Sequence, residues 1–180
     1  MSLKIILYTL PFLFFLYHIL VYFHTRVPIV NTPRKYFDQL FYNLKIPKNS
    51  TIYELGCGAQ ANFLFRAQNY KPCKLVGYEL SILHACFARF KAKLKKKSQK
   101  TPIEIYCQDF WKVSLSDADI VYAFLVPEIV QKVWEKLKKE AKPGTILISL
   151  ADQIPGEKIW QQIPTRPNDT KTTYYYIYRV

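Results

Sequence analysis

From residue 51 to residue 150, short apolar runs recur, each ending near a glycine, an acid or a proline and each followed by a longer stretch of mixed polarity. Residues 51–55, 74–79, 103–107, 119–125 and 144–150 read as strands, since about 4–8 residues rich in β-branched and aromatic side chains is strand length. Between and before them, residues 33–44, 60–69, 81–97 and 128–140 read as helices. Strands that alternate with helices imply an α/β fold with a mostly parallel sheet covered on both faces. The run Asp119-Ile120-Val121-Tyr122-Ala123-Phe124-Leu125 fits a strand buried on both sides, and Pro143-Gly144 marks a sharp turn into the next. After residue 150 the pattern changes. Residues 158–163 and 172–178 flank a polar loop containing Pro164, Pro167, Asn168 and Asp169, and they read as a closing antiparallel pair. The tyrosines there are read as strand packing.

The N-terminus follows a different rule. From Ile5 to Phe23 the chain is uncharged, broken only by Thr9, Pro11 and His18. At ~1.5 Å per residue such a helix reaches about 28 Å, close to the thickness of bilayer hydrocarbon. The expectation is a transmembrane anchor over residues 1–26 and one folded domain over residues 27–180. A cleaved signal peptide fits less well, because His24-Thr25-Arg26-Val27-Pro28 lacks small residues for cleavage. Lys4 and the amino terminus precede the stretch and Arg26, Arg34 and Lys35 follow it, so the positive-inside rule predicts a single-pass membrane protein whose folded domain faces the cytoplasm. His18 is expected to be neutral and interfacial. The bilayer is then a partner, and the short linker from Phe23 to Tyr36 would hold any acceptor near it.

Composition adds two constraints. Four cysteines, Cys57, Cys73, Cys86 and Cys107, form no C-x-x-C pair and have no histidine at metal spacing, so they are read as reduced and mostly buried, and no metal site is expected. Much of the formal net charge of +13 is concentrated in Lys91, Lys93, Lys95, Lys96, Lys97 and Lys100. Without interleaved aromatics, this cluster ranks first as a solvated helix end, second as a site for anionic headgroups and third for RNA; nucleic acid is not an expected partner.

Candidate chemistry concentrates where the first strand ends. Only five glycines occur in the chain, and two of them stand in Glu54-Leu55-Gly56-Cys57-Gly58. A strand that breaks into closely spaced glycines before a helix lets the backbone approach a ligand that a Cβ would push away. A second strand ends in Glu79, 21 residues after Gly58, where a carboxylate can take both hydroxyls of a ribose. Gly56-Cys57-Gly58-Ala59-Gln60-Ala61 also fits the dinucleotide form of this loop. Glu54 decides the choice: a carboxylate there repels pyrophosphate and suits S-adenosylmethionine (SAM), which carries an ammonium, a sulfonium and no phosphate.

Glu54-Leu55-Gly56-Cys57-Gly58, Gly77-Tyr78-Glu79-Leu80, Cys107-Gln108-Asp109-Phe110 and Tyr122-Ala123-Phe124-Leu125-Val126-Pro127 occur in the order and spacing of the class I SAM-dependent methyltransferases. The resemblance covers about residues 28 to 180. More narrowly, Val27-Pro28-Ile29-Val30-Asn31-Thr32-Pro33 and Asp109-Phe110-Trp111-Lys112-Val113-Ser114-Leu115 resemble the membrane-anchored lysine methyltransferases that modify the ATP-synthase c subunit, and their small prokaryotic relatives. The resemblance implies a Rossmann-like sheet and SAM as cofactor. It implies that Glu54 and the backbone of Gly56, Cys57 and Gly58 hold the methionine end, Glu79 followed by Leu80 the ribose, and Asp109 with Phe110 the adenine. Tyr122 and Pro127 would flank the transferable methyl. Asp109, Glu128 or water could take the proton of an acceptor lysine on a membrane protein. Position 60, commonly a third glycine in this family, is Gln60, whose Cβ is expected to crowd the loop. The rival expectations are a scaffold without activity and a methyltransferase of lipids or small molecules. The Asn/Asp-Pro-Pro-Tyr motif of amide and nucleobase methylators does not occur. Oligomeric state is left open by the sequence.

Overall fold

Every side chain of the first and fourth strands is buried, and elements so apolar on both faces can only run through the middle of a covered sheet. The structure, a computed structural model, describes residues 3–25, 32–95 and 100–180. Parallel strands β1 (Thr51–Leu55), β2 (Lys74–Glu79), β3 (Ile103–Cys107), β4 (Ile120–Ala123) and β5 (Ile146–Leu150) are extended by antiparallel β6 (Gln161–Pro164) and β7 (Tyr174–Arg179). The spatial order is β3-β2-β1-β4-β5-β7-β6. Strand order therefore reverses between β1 and β4, the place where an open α/β sheet forms a crevice beyond the carboxyl ends of its strands.

Among the described residues from 32 to 180 the α-helices are α2 (Tyr36–Asn43), α3 (Asn62–Ala67), α4 (Ile82–Leu94) and α5 (Pro127–Glu140), numbered after α1 (Leu3–Thr25). Helix α5 buries Val130, Val133, Trp134 and Leu137, one face at helical spacing. Phe37 and Phe41 of α2 and Phe63 of α3 form an aromatic layer over the sheet, with Phe63 stacked on Tyr122 at 4.4 Å and Phe37 against Tyr175 at 6.2 Å. Tyr175 and Tyr178 are fully buried, as strand packing requires. The register is pinned where β1 and β4 begin: Thr51 N–H donates to the Asp119 carboxylate at 2.7 Å, and Asp119 N–H donates back to Thr51 O at 2.9 Å.

The predicted elements are all present, with shifted ends. Phe124 and Leu125 fall outside β4 because the chain must turn into α5, whose first residue is Pro127. The helix expected over 60–69 starts only at Asn62 and tightens into a 3₁₀ turn at Gln68–Tyr70. Helix α4 ends at Leu94, and Lys96 and Lys97 lie outside the described residues. The cysteines depart from expectation: Cys57 is buried, whereas Cys73, Cys86 and Cys107 are exposed. Cys107 ends the edge strand β3, where no neighbouring strand covers it.

The transmembrane anchor is not supported. Residues 3–25 do form a helix, yet among the described residues no helix is long and apolar enough to cross a membrane. The apolar side chains described in α1 run from Leu7 to Phe23. Tyr8, Thr9, Pro11, Tyr17 and His18 interrupt them, and the His18 ring nitrogen turns back onto Phe14 O at 2.7 Å. With the anchor go the bilayer as partner, the membrane localisation and the cytoplasm-facing orientation. Arg26 and the motif residues 27–31 lie outside the described residues. The chain divides into two compact units, residues 1–30 and 31–180, and the second contains the whole sheet.

Candidate functional site

Three neighbouring parallel strands end in or just before an acid, and their register brings those acids to one edge. Glu54 pairs with Gly77 across β1 and β2, and Glu79 pairs with Cys107, two residues before Asp109. Beyond β1 the backbone turns through Gly56 (φ 70°) and Gly58 (φ 58°), in the left-handed region that glycine enters at little cost. Gly56 N–H and Cys57 N–H both donate to Tyr78 O, at 2.9 and 3.0 Å, which folds the loop over the end of β2. A Cβ on Gly56 would come within 2.9 Å of Leu125 Cδ2, so the glycine also lets the β4–α5 connection close on the loop.

Glu79 ties these pieces together. Its Oε2 accepts Gly58 N–H and its Oε1 accepts Ser81 N–H, each at 2.8 Å, while Gln108 N–H donates to Glu79 O at 3.2 Å. One residue thereby links the ends of β1, β2 and β3, and each carboxylate oxygen retains lone pairs for a further donor. Leu80 beside it is exposed. Asp109 caps a 3₁₀ turn over Phe110–Lys112, its Oδ1 accepting Trp111 N–H at 3.0 Å. Phe110 lies against Trp111 with ring centroids 4.7 Å apart.

Glu54 is only 5% exposed. Burial pushes its carboxyl up to about 8, against the opposing effects of Leu64 N–H, which donates to Oε2 at 3.3 Å, and of the Lys91 ammonium. Glu54 therefore holds a proton at neutral pH, and a cation seated beside it would favour the carboxylate. Cys57 points into the core, where burial pushes its thiol up and keeps it protonated. Gly77 makes room for it: a Cβ there would lie 2.8 Å from both Cys57 Sγ and Ile105 Cδ1. What Cys57 offers a ligand is backbone.

Tyr122 is the β4 partner of Glu54 and is buried beneath Phe37 and Phe63, its hydroxyl 3.2 Å from Thr32 Oγ1. Pro127 is exposed at the first position of α5, past the end of β4, with Glu128 in the first turn. Gln60 does not crowd the loop as expected. The left-handed conformation falls on Ala61 (φ 44°), and the exposed Gln60 side chain accepts from Lys91 Nζ at 2.9 Å. Lys91 also donates to Gln60 O and, at 3.3 Å, to Asn62 Oδ1. Lys91 thus clamps the loop, a role invisible when it is counted within a charge run. Its signal is position: His84 and Ala88 are buried on α4 at the spacing that puts Lys91 on the same inner face.

Acids at the ends of β1, β2 and β3 and a glycine cradle fit SAM, whose adenosine offers hydroxyl and amine donors and whose methionine end offers cations. The fold is that of Rossmann-like methyltransferases. An RNA methyltransferase from Salinibacter ruber in complex with S-adenosylhomocysteine superposes with a TM-score of 0.72 at 21% identity, covering 84% of this chain and 94% of that one. A methyltransferase from Pyrococcus furiosus superposes with a TM-score of 0.64 at 13% identity, covering 92% and 95%. Residues 54–161, more than half of the chain, match the family model of the ANTKMT methyltransferase domain, and the chain belongs to that family. A protein-lysine N-methyltransferase of Saccharolobus islandicus is 28% identical over 153 residues, 84% of this chain and 94% of its own length. The chain is a SAM-dependent methyltransferase.

Proposed function

We propose that the enzyme methylates the ε-amine of a lysine in a protein acceptor. The observation that carries this reading is the likeness to the Saccharolobus islandicus protein-lysine N-methyltransferase over nearly that protein's whole length. In this reading Glu79 receives the ribose hydroxyls, Asp109 and Phe110 the adenine, and Glu54 with the backbone of Gly56, Cys57 and Gly58 the methionine end; exposed Pro127 borders the acceptor's approach, while Tyr122, buried beneath Phe37 and Phe63, supports the site from within the core. SAM supplies a methyl group already activated by its sulfonium. The protein's task is alignment for in-line displacement, a contribution of about 7–11 kcal/mol in well-oriented reactions. The acceptor ammonium must first lose a proton, which Asp109, Glu128 or water can receive. Gln60 gives no steric ground for a scaffold without activity, since its side chain lies outside the loop's left-handed positions.

The test incubates the full-length enzyme and methyl-labelled SAM with separated protein, RNA and lipid fractions of a cell extract, followed by mass spectrometry of labelled peptides. Methyl-lysine in the protein fraction is the expected result. Label confined to lipid or RNA overturns the reading.

A further inference from the structure

Residues of α2, α3 and the end of α4, with Arg34, Lys35 and Lys100, line a partly open cavity of about 710 Å³. Five cationic side chains line it, Arg34, Lys35, Arg66, Lys95 and Lys100, against one carboxylate, Asp38. That carboxylate sits on Arg66 Nη2 at 2.8 Å, while Arg66 Nε is buried without a hydrogen-bond partner among the described residues. The imbalance is felt nearby: burial, then Arg34 and Lys95, push the Lys91 ammonium down to about 8. The cavity shares a wall with the cofactor loop, since Arg34 Nε donates to Asn62 Oδ1 at 3.1 Å and Lys91 holds the same atom. Its rim continues into an apolar stripe. Leu94 lines the cavity, and Leu83, Phe87 and Phe90 precede it on α4 at helical spacing, all exposed.

We propose that this cavity and stripe dock an acidic, amphipathic segment of the protein acceptor, carboxylates entering among the five cations and apolar side chains lying along Leu94, Phe90 and Phe87. The proposal rests on the protein-acceptor reading above and names what such an acceptor carries near its target lysine. Asp38 on Arg66 already displays the ligand chemistry, a carboxylate on a guanidinium. Single-stranded nucleic acid fits less well. It is held by aromatic faces on which bases stack; Phe65 in the cavity is covered by the ammoniums of Lys91 and Lys95 at 4.6 and 5.5 Å from its centroid, and the two rings of the stripe, Phe87 and Phe90, stand between Leu83 and Leu94 in an apolar row apart from the five cations.

The experiment titrates a short fluorescein-labelled Glu/Leu peptide into the full-length protein by anisotropy, beside a single-stranded RNA of equal charge. Replacing Lys35, Lys95 and Lys100 with Gln is expected to weaken the peptide about tenfold, with SAM affinity by calorimetry unchanged. Asp38→Asn is expected to tighten the peptide, because it frees Arg66; a purely structural ion pair would not do so. Peptide binding insensitive to both changes, or RNA binding tighter than peptide and lost in the triple variant, overturns the proposal. Peptide binding that behaves as expected in a protein that labels no lysine would instead overturn the acceptor reading and leave the cavity's chemistry standing.

Discussion

Glu54 shows how one buried carboxyl can both burden the fold and serve the site. Its folded value of about 8 lies above the usual 4.5, so between those values the folded protein holds a proton that the unfolded chain releases. Stability attached to this group is therefore present below about pH 4.5 and is lost as pH rises towards 8, a difference on the order of 3 kcal/mol by neutral pH. Glu54→Gln should raise the melting temperature at neutral pH and flatten its dependence on pH. A cation seated at Glu54 must release that proton, so SAM affinity should rise with pH towards 8 in the wild type and lose this dependence in the variant. Calorimetry in buffers of different ionisation enthalpy checks it directly. Gly77 is constrained by packing alone. Gly77→Ala sets a methyl 2.8 Å from Cys57 Sγ and Ile105 Cδ1 and should cost about 1–3 kcal/mol in urea unfolding, partly restored by Cys57→Ala.

The element that matters most is the loop between β1 and α3. The N–H groups of Gly56 and Cys57 point at Tyr78 O and that of Gly58 at Glu79, the left-handed Ala61 closes back on Cys57 O, and Lys91 of α4 holds the loop's far end. Gln60→Gly should therefore leave SAM affinity within about twofold or weaken it, since it removes a Lys91 partner and relieves no strain. Lys91→Met should weaken SAM about tenfold or more through loss of a charge-assisted clamp worth about 1.5–3 kcal/mol; equal affinity in both proteins would show the clamp to be idle. The strands and most helices were legible in the sequence because burial on one or both faces imprints a period of two, a helical period or a continuous apolar run. The late start of α3 was not, because Ala61 and Gln60 are ordinary helix formers. What excludes them is the turn that Glu79 and Lys91 impose from elsewhere in the chain.

At the scale of the whole molecule, residues 31–180 contain all seven strands and the aromatic layer. A chain lacking residues 1–30 should fold and keep SAM affinity within about twofold by calorimetry; loss of folding would mean that the N-terminal unit completes the core. The anchor expected for that unit is not supported, since among the described residues no helix is long and apolar enough to cross a membrane. By itself the sequence determined the alternation of strands and helices, the acids at Glu54, Glu79 and Asp109, and the phosphate-free character of the ligand. Those features are local: each depends on residues adjacent in the chain and on the period at which they recur. Only the tertiary structure decided that Glu54 is buried beside Leu64 N–H, that Lys91 replaces a third glycine as the loop's restraint, that three of four cysteines reach solvent, and that five cations surround one cavity. The Lys91 clamp and the ring of cations join residues far apart in the chain, and the crossovers that bring them together are set by how the helices pack on the sheet.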